Sequence, residues 1–105
     1  MDEKAVYVVY MLRCLDGSLY TGIATDWKRR FEEHLTGKGA KYTQSHPVDR
    51  IERVWRAADK IAACKLEYHI KTLNKAKKEQ LIAEPRRLGD LLGDKVDPAR
   101  YDVIV

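Results

Sequence analysis

Five residues carry side chains whose types and spacing could do chemistry together. They are two phenols, a guanidinium, an imidazole and a carboxylate: Tyr10, Tyr20, Arg30, His34 and Glu67. Because His34 follows Arg30 by four positions, the two share a face one turn apart if the segment is helical. Small and apolar residues flank Glu67 at helical spacing, and a carboxylate on such a face is unusual unless it is paired or bound to a metal.

Motifs of several other enzyme classes are absent from the sequence. It contains neither GxxxxGKS/T nor GxGxxG, and Gly37-Lys38-Gly39 is too short a match for either phosphate-binding loop. HExxH and GxSxG are also missing. Standard nucleotide hydrolysis, zinc proteolysis and serine hydrolysis therefore lack their usual residues.

Positive charge is concentrated in the middle of the chain. Residues 27–78 hold fourteen basic and six acidic residues, a net charge of +8, whereas residues 1–26 and 79–105 each carry −2. Basic residues interleaved with Trp, Tyr and His are typical of a surface that faces nucleic acid. Solvated helix faces produce the same pattern, so the charge suggests this partner without identifying it.

Length and cysteine content set further expectations. The chain has 105 residues, which predicts one domain over 1–105. No apolar run approaches the ~20 residues of a bilayer span, so we expect no membrane partner. The acidic start lacks a signal-peptide cleavage site, and Cys14 and Cys64 form no CxxC pair or disulfide framework. These features predict a cytoplasmic protein.

A β-hairpin is predicted near the start of the chain. Two apolar runs, residues 5–14 and 18–24, flank Asp16-Gly17, and this dipeptide between such runs is a strong hairpin signal. Gly22 lies inside the second run, which indicates either a bulge or the close approach of another group. The hairpin would bring Tyr10 and Tyr20 onto neighbouring strands.

The remaining elements follow from capping residues and apolar periodicity. We predict helices over 26–35, 60–73, 74–83 and 86–92, a strand over 50–57, and a polar loop over 36–48. Thr25 or Asp26, Asp59 and Asn74 are the expected caps, and the tail from Tyr101 is either an edge strand or frayed. The order β-β-α-β-α-α predicts a mixed α/β fold of the α+β type, a small three-stranded antiparallel or mixed sheet flanked by helices.

The motifs around this hairpin and helix resemble those of the GIY-YIG nuclease superfamily. The matching segments are Val8-Val9-Tyr10, Leu19-Tyr20-Thr21-Gly22, Arg30-Phe31 and His34. The following Gly37-Lys38-Gly39-Ala40-Lys41 loop is similar to that of the small stand-alone bacterial members. The resemblance covers about residues 5–83, which would form the core of the domain and leave 84–105 as a C-terminal appendage. Val8, Val9 and Thr21 depart from the family motifs at strand backbone positions.

The resemblance implies hydrolysis of DNA phosphodiester bonds with a single divalent ion, Mg²⁺ or Mn²⁺. Tyr10 matches a general base or water-positioning tyrosine, and Tyr20 a residue that holds the phosphate or a metal-bound water. Arg30 would stabilise charge on the phosphate, His34 would assist proton transfer, and Glu67 matches the metal-binding glutamate. A hard cation accepts one carboxylate plus waters and phosphate oxygens, so a single glutamate does not exclude a metal site.

Five further residues are candidates for binding nucleic acid: Arg29, Lys38, Lys41, Tyr42 and Lys71. Each candidate also has a structural alternative. The tyrosines could be cross-strand packing partners, and Glu67 could form a helix ion pair with Lys71. Two functional alternatives to the nuclease therefore stay open. One is a non-catalytic nucleic-acid-binding module with the same fold, and the other is a subunit that needs a protein partner.

Overall fold

Four strands form one antiparallel sheet in the order β2-β1-β3-β4. The computed structural model describes residues 5–105, so the acidic start at 1–4 lies outside the described residues. The strands are β1 (Val8–Cys14), β2 (Leu19–Ala24), β3 (Val48–Ala57) and β4 (Tyr101–Val103). β1 lies at the centre, paired with β2 on one side and with β3 on the other.

The helices begin at side-chain caps that the sequence largely predicts. They are α1 (Trp27–Leu35), α2 (Lys41–Ser45), α3 (Lys60–Lys71), α4 (Lys75–Ala83) and α5 (Leu88–Leu92), followed by 3₁₀ turns at Gly93–Lys95 and Pro98–Arg100. Asp26, Asp59 and Asn74 each accept a hydrogen bond from the backbone N–H three residues on, which satisfies one free donor of the first turn. The caps at Asp59 and Asn74 are confirmed, and Asp26 rather than Thr25 caps α1.

The β1–β2 hairpin is confirmed. Gly17 adopts a φ of +86°, a left-handed conformation that glycine reaches without strain. The turn is closed by Cys14, whose N–H donates to the carbonyl of Ser18 at 2.8 Å. The turn fixes a register in which Tyr10 is opposite Gly22 and Leu12 is opposite Tyr20.

Alternate residues of β1 point to opposite sides of the sheet, and each side has its own hydrophobic cluster. On the side we call the α3 face, Val9 and Met11 pack with Trp55 beneath α3, α4 and α5. On the other side, which we call the α1 face, Tyr10 and Leu12 pack with Phe31 of α1. The candidate residues on β1 and α1 therefore share the α1 face, whereas α3 with Glu67 covers the opposite one.

The α+β class is confirmed, and so is the edge-strand alternative for the tail, which adds a fourth strand to the three predicted. β4 pairs antiparallel with the end of β3, with Ala57 opposite Tyr101. Tyr101 is 8% exposed, and its hydroxyl donates to the carbonyl of Ala62 at 2.7 Å. This buried anchor holds the tail against the sheet, which explains why the tail is an edge strand rather than frayed.

The predicted loop over 36–48 is wrong, because it contains a turn of helix and the start of a strand. Lys41–Ser45 form α2, and β3 begins at the buried Val48 rather than at residue 50. Helix α2 has no side-chain cap but carries a buried threonine, Thr43. A five-residue helix among glycine and proline signals depends on tertiary contacts, which periodicity does not detect.

Helix α3 buries one of its two apolar stripes. Leu66 and Ile70 form the buried stripe, and both are fully buried. Ile61, Cys64 and Tyr68 form the other stripe, which lies on the exposed side of the helix. Within residues 5–105, none of the helices combines the length and apolar character needed to cross a membrane.

Candidate active site

The centre of the site is formed by two tyrosines that the hairpin brings together. Tyr10 is 2% exposed, and its ring centroid lies 6.2 Å from that of Tyr20. Gly22 provides the space for this arrangement, since a Cβ at that position would lie 2.6 Å from the Tyr10 hydroxyl and 3.0 Å from the Tyr20 ring. The close approach predicted at Gly22 is confirmed.

His34 joins the tyrosines from α1. Its side chain is buried, with the residue 1% exposed, and its Nε2 lies 2.8 Å from the Tyr10 hydroxyl. Its Nδ1 lies 2.7 Å from the Oγ1 of Thr43 in α2. The His34 ring is also close to Tyr20, with 5.1 Å between ring centroids. Both imidazole nitrogens are therefore paired inside the protein.

Burial keeps both members of the Tyr10–His34 pair neutral. Desolvation, followed by the nearby Arg30 charge, lowers the pKa of His34 from 6.5 to about 4, with Glu33 opposing. Desolvation, followed by the Tyr20 phenol, raises the pKa of Tyr10 well above its ordinary value, and Arg30 opposes that shift. At neutral pH the pair is thus a phenol hydrogen-bonded to an imidazole, with no charge on either group.

Arg30 brings a partly available positive charge to the same face. Its Nη1 donates to Glu33 at 2.7 Å, and its side chain is 35% exposed. This bond to Glu33 first, and then the Tyr10 phenol, raise the pKa of Arg30. A guanidinium has five N–H donors, so the remaining donors can reach an anionic ligand.

Tyr20 connects the buried pair to the surface. Its ring stacks with Tyr42 at 6.0 Å between centroids, and Tyr42 stacks on His46 at 3.9 Å. The ammonium of Lys71 lies 6.0 Å from the Tyr20 ring centroid. Of the five candidates for binding nucleic acid, Tyr42 and Lys71 therefore lie beside the site.

The other three candidates for binding nucleic acid lie on exposed surface. Lys38 and Lys41 are exposed on either side of Gly39, in the segment that leads into α2. Arg29 is 78% exposed and pairs loosely with Glu33 at 3.6 Å. Their charges are available to a polyanion, and a nucleic-acid contact for each of them stays a prediction.

Glu67 is connected to the site by an ion pair with Lys71, the lysine that lies beside Tyr20. The Lys71 ammonium lies 3.1 Å from the Glu67 carboxylate, so the helix ion pair expected as the structural alternative is present. The Glu67 side chain is 24% exposed and that of Lys71 is 51% exposed, so the carboxylate is partly accessible to solvent. An exposed pair of this kind contributes only ~0.3–0.5 kcal/mol, so it does not commit Glu67 to a structural role.

The residues present fit a hard divalent cation that keeps most of its waters. Among residues 5–105, no group of three or more His, Cys, Asp or Glu side chains could hold a metal ion. The carboxylate that could serve is that of Glu67, which is partly exposed. Mg²⁺ is commonly held by one or two carboxylates plus water and phosphate oxygens, whereas zinc needs a closed set of nitrogen or sulfur ligands.

Two residues that the sequence analysis did not single out shape the site. Thr43 is 2% exposed and bonds His34. Gly39 lies against the same ring, since a Cβ there would be 2.7 Å from the Cγ of His34. Gly39 belongs to the Gly-Lys-Gly-Ala-Lys match, and that match was the one signal in the sequence that could have indicated it.

Comparison with known proteins decides the family. A family model described as the GIY-YIG catalytic domain matches residues 6–80. That span includes the five candidate catalytic and metal-binding residues, Tyr10, Tyr20, Arg30, His34 and Glu67. The chain belongs to the GIY-YIG family. This is a nuclease family, and the resemblance of residues 5–83 is confirmed over nearly the same span.

Small bacterial GIY-YIG relatives align over most of the chain. A UPF0213 protein of Fusobacterium nucleatum, FN1575, is 56% identical over 79 residues, or 75% of this chain and 79% of the relative. A UPF0213 protein of Cupriavidus necator, H16_B0156, is 43% identical over 84 residues, or 80% and 91%. The solution NMR structure of UPF0213 protein BH0048 from Bacillus halodurans is 46% identical with a TM-score of 0.50, covering 74% of this chain and 83% of that one.

Proposed function

We propose that this GIY-YIG protein is a divalent-metal-dependent endonuclease that hydrolyses DNA phosphodiester bonds. One observation carries the proposal: the 2.8 Å hydrogen bond between the hydroxyl of Tyr10 and the Nε2 of His34, in a cluster with Tyr20 and Arg30. A buried phenol paired with a neutral imidazole is a proton-transfer unit. The guanidinium beside it is suited to phosphate oxygens.

Tyr10 and His34 would act in sequence on the proton of an attacking water. The Tyr10 hydroxyl donates to His34 and keeps oxygen lone pairs with which to accept a hydrogen bond from water. As the water oxygen attacks phosphorus, its proton passes to Tyr10 while the Tyr10 proton passes to His34. Tyr10 therefore stays neutral, in agreement with its raised pKa, and the positive charge ends on His34.

The remaining residues would bind and orient the substrate. Arg30 would donate to a phosphate oxygen on which charge develops, and Tyr20 would position the phosphate or the water. Binding of an anionic phosphate raises the pKa of the adjacent imidazole, which offsets part of the effect of burial on His34. Glu67 would hold the Mg²⁺ or Mn²⁺ ion. When bound, such an ion neutralises phosphate charge and acidifies its water.

The surface around the site favours DNA as the partner. Arg29, Lys38, Lys41 and Lys71 would neutralise backbone phosphates, and the exposed ring of Tyr42 would contact a sugar or base. The net charge of +8 over residues 27–78 supports a polyanionic ligand rather than a small molecule. Binding should accordingly weaken as salt increases.

A cleavage assay tests the proposal. Wild type, Glu67→Gln and the control Asp94→Asn would be incubated with supercoiled, linear, single-stranded and branched DNA in Mg²⁺, Mn²⁺ or EDTA. Both variants remove one negative charge, but Asp94 is an exposed residue of the 3₁₀ turn at Gly93–Lys95. We expect metal-dependent cutting by wild type and Asp94→Asn, and loss of cutting with retained binding in Glu67→Gln.

Each contrary outcome favours a different alternative. Full cutting by Glu67→Gln would remove Glu67 as the metal ligand. Salt-sensitive DNA binding without cutting on any substrate would identify a non-catalytic binding module. The absence of both binding and cutting would favour a subunit that needs a protein partner.

A further inference from the structure

The hydrogen bonds around His34 determine which of its nitrogens carries the proton. A threonine hydroxyl has one proton, and that of Thr43 is donated to the carbonyl of Ala40 at 2.9 Å. At 2.7 Å from the Nδ1 of His34, the Thr43 oxygen can then only accept, so Nδ1 bears the hydrogen. The lone pair of the neutral ring is therefore at Nε2, where the Tyr10 hydroxyl donates to it.

The opposite tautomer would have one hydrogen bond fewer. With the proton on Nε2, the lone pair of Nδ1 would face the Thr43 oxygen, and a bond there would require the hydroxyl proton to leave Ala40. The Ala40 carbonyl would keep the backbone N–H of Gln44 at 3.1 Å, so the cost is that of one lost hydrogen bond, about 0.5–1.5 kcal/mol. This difference holds the Nδ1–H tautomer at about 70–90% of the population, because 1.4 kcal/mol corresponds to a factor of ten.

Close packing prevents the ring from turning away from this arrangement. A Cβ at Gly39 would lie 2.7 Å from Cγ and 2.8 Å from Cε1 of His34, so only a glycine backbone fits against the ring. The ring of Tyr20 lies near His34 as well, at 5.1 Å between centroids. In the described part of the chain, every buried side-chain nitrogen and oxygen has a hydrogen-bond partner. This includes the polar side-chain atoms of Thr43, His34 and Tyr10.

From this geometry we infer that Thr43 is a positioning residue, which fixes His34 in the Nδ1–H form so that Nε2 can take the proton of Tyr10. The inference rests on the proposed nuclease function for its catalytic consequence, but the tautomer itself is a property of the protein alone. On the Nδ1 side the chain of bonds ends at the Ala40 carbonyl, which is too weak a base to take up a proton. A proton received at Nε2 can therefore leave only by the way it came, through Tyr10.

The tautomer can be measured by two-bond ¹H–¹⁵N NMR of the imidazole at neutral pH, independently of any cleavage. We expect His34 of wild type to show a pyrrole-like Nδ1 and a pyridine-like Nε2. Thr43→Ser should keep this pattern because it keeps the hydroxyl. Thr43→Val, which has nearly the same shape without the hydroxyl, should shift the population toward Nε2–H, and Thr43→Ala provides a second variant that lacks it. A backbone ¹H–¹⁵N spectrum reports whether each variant is folded.

The same variants should separate in kcat, with a loss of about 10²-fold in Thr43→Val and near wild-type values in Thr43→Ser. The apparent pKa of the low-pH limb of the pH–rate profile should change in Thr43→Val and stay at the wild-type value in Thr43→Ser. The groups that face His34 and could contribute to that limb are Tyr10 of β1, Tyr20 of β2, and Arg30 and Glu33 of α1.

Two results would overturn the inference. The first is an Nε2–H pattern in wild type. The second is an unchanged Nδ1–H pattern in folded Thr43→Val or Thr43→Ala, because Thr43 would then not be the residue that fixes the tautomer. If the tautomer behaves as expected while no DNA is cut, the proposed function fails and the positioning role of Thr43 stands.

Discussion

The two faces of the sheet each hold an arginine, and the two arginines are paired in opposite ways. On the α3 face, Arg13 is 15% exposed and bonds two carboxylates, Glu52 at 2.8 Å and Glu79 through both terminal nitrogens. On the α1 face, Arg30 is 35% exposed and bonds one carboxylate, Glu33, through a single nitrogen. The first guanidinium makes four hydrogen bonds within the protein, whereas the second makes one and keeps donors free.

The difference separates a residue that stabilises the fold from one that can bind a ligand. Arg13 also donates to the carbonyl of Gly17 at 3.2 Å, so it ties the hairpin turn to β3 and α4. Its bond to Glu79 is the largest of the influences that raise the pKa of Arg13. Arg30 has no comparable set of bonds, and it lies beside a phenol and an imidazole whose chemistry needs a cation nearby.

The largest effect is expected from Arg30→Ala. If Arg30 stabilises charge on the phosphate in the transition state, its loss should lower kcat by about 10²–10³-fold. Stability should change by less than ~1 kcal/mol because the Arg30–Glu33 pair is partly exposed. Single-turnover cleavage and urea unfolding measure the two quantities on the same sample.

Arg29→Ala is the matched control for that variant. Arg29 is the neighbouring residue, carries the same charge and pairs with the same Glu33, but its side chain is 78% exposed. Its loss should weaken DNA binding while leaving kcat within about twofold. Equal losses of kcat in the two variants would mean that Arg30 only positions the phosphate, as an exposed basic residue does. The proposed difference in role between Arg30 and Arg13 would then fail.

Arg13→Met should have the opposite profile, with a loss of stability and no specific loss of kcat. Removing the guanidinium leaves Glu52 and Glu79 beside each other without their shared cation, and breaking such a partly buried network costs about 3 kcal/mol. Chemical denaturation at neutral pH gives the free energy of unfolding. The control is Arg50→Met, which also removes a partner of Glu52 but from an exposed position at 3.4 Å.

For Arg50→Met the expected loss is below ~1 kcal/mol. Similar losses in the two variants would mean that the Arg13 network stabilises no more than a surface ion pair. A large drop in kcat for folded Arg13→Met would show that the α3 face contributes directly to the chemistry.

Local signals in the sequence were sufficient for most of the fold. The Asp16-Gly17 turn and the caps at Asp59 and Asn74 are short-range interactions, and each lies where predicted. The predictions failed or left alternatives open where tertiary contacts decide the structure. Helix α2 lies inside the predicted loop and buries Thr43 against His34, and the choice between an edge strand and a frayed tail depends on the burial of Tyr101.

Local sequence rules likewise explain some residues of the candidate site and not others. Hairpin register explains why Tyr10 and Tyr20 meet, and helical spacing explains why Arg30 and His34 share α1. Neither rule could have indicated Thr43, because it is one of several polar residues in an apparent loop. The role of Glu67 as a metal ligand still rests on the family resemblance, since α3 packs on the opposite face and Glu67 is linked to the site through Lys71.

The smallest effect is expected from the pH dependence that His34 gives to folding. Its pKa is about 4 in the folded protein and near 6.5 when unfolded, so the unfolded chain binds the extra proton first as pH falls. The stabilisation is complete above pH ~6.5 and is lost progressively as pH falls through the folded pKa. Between pH 7 and pH 4.5 the loss should be about 2 kcal/mol.

Urea unfolding of wild type and His34→Gln at these two pH values isolates this contribution. Carboxylates such as Glu79, whose pKa is lowered by its bond to Arg13, also lose stabilisation in acid, but they do so in both proteins and cancel in the difference. We expect wild type to lose about 2 kcal/mol more than His34→Gln. Equal losses would mean that His34 is not held neutral by burial. The α1 face would then lack the uncharged imidazole that the Tyr10 proton needs as its acceptor.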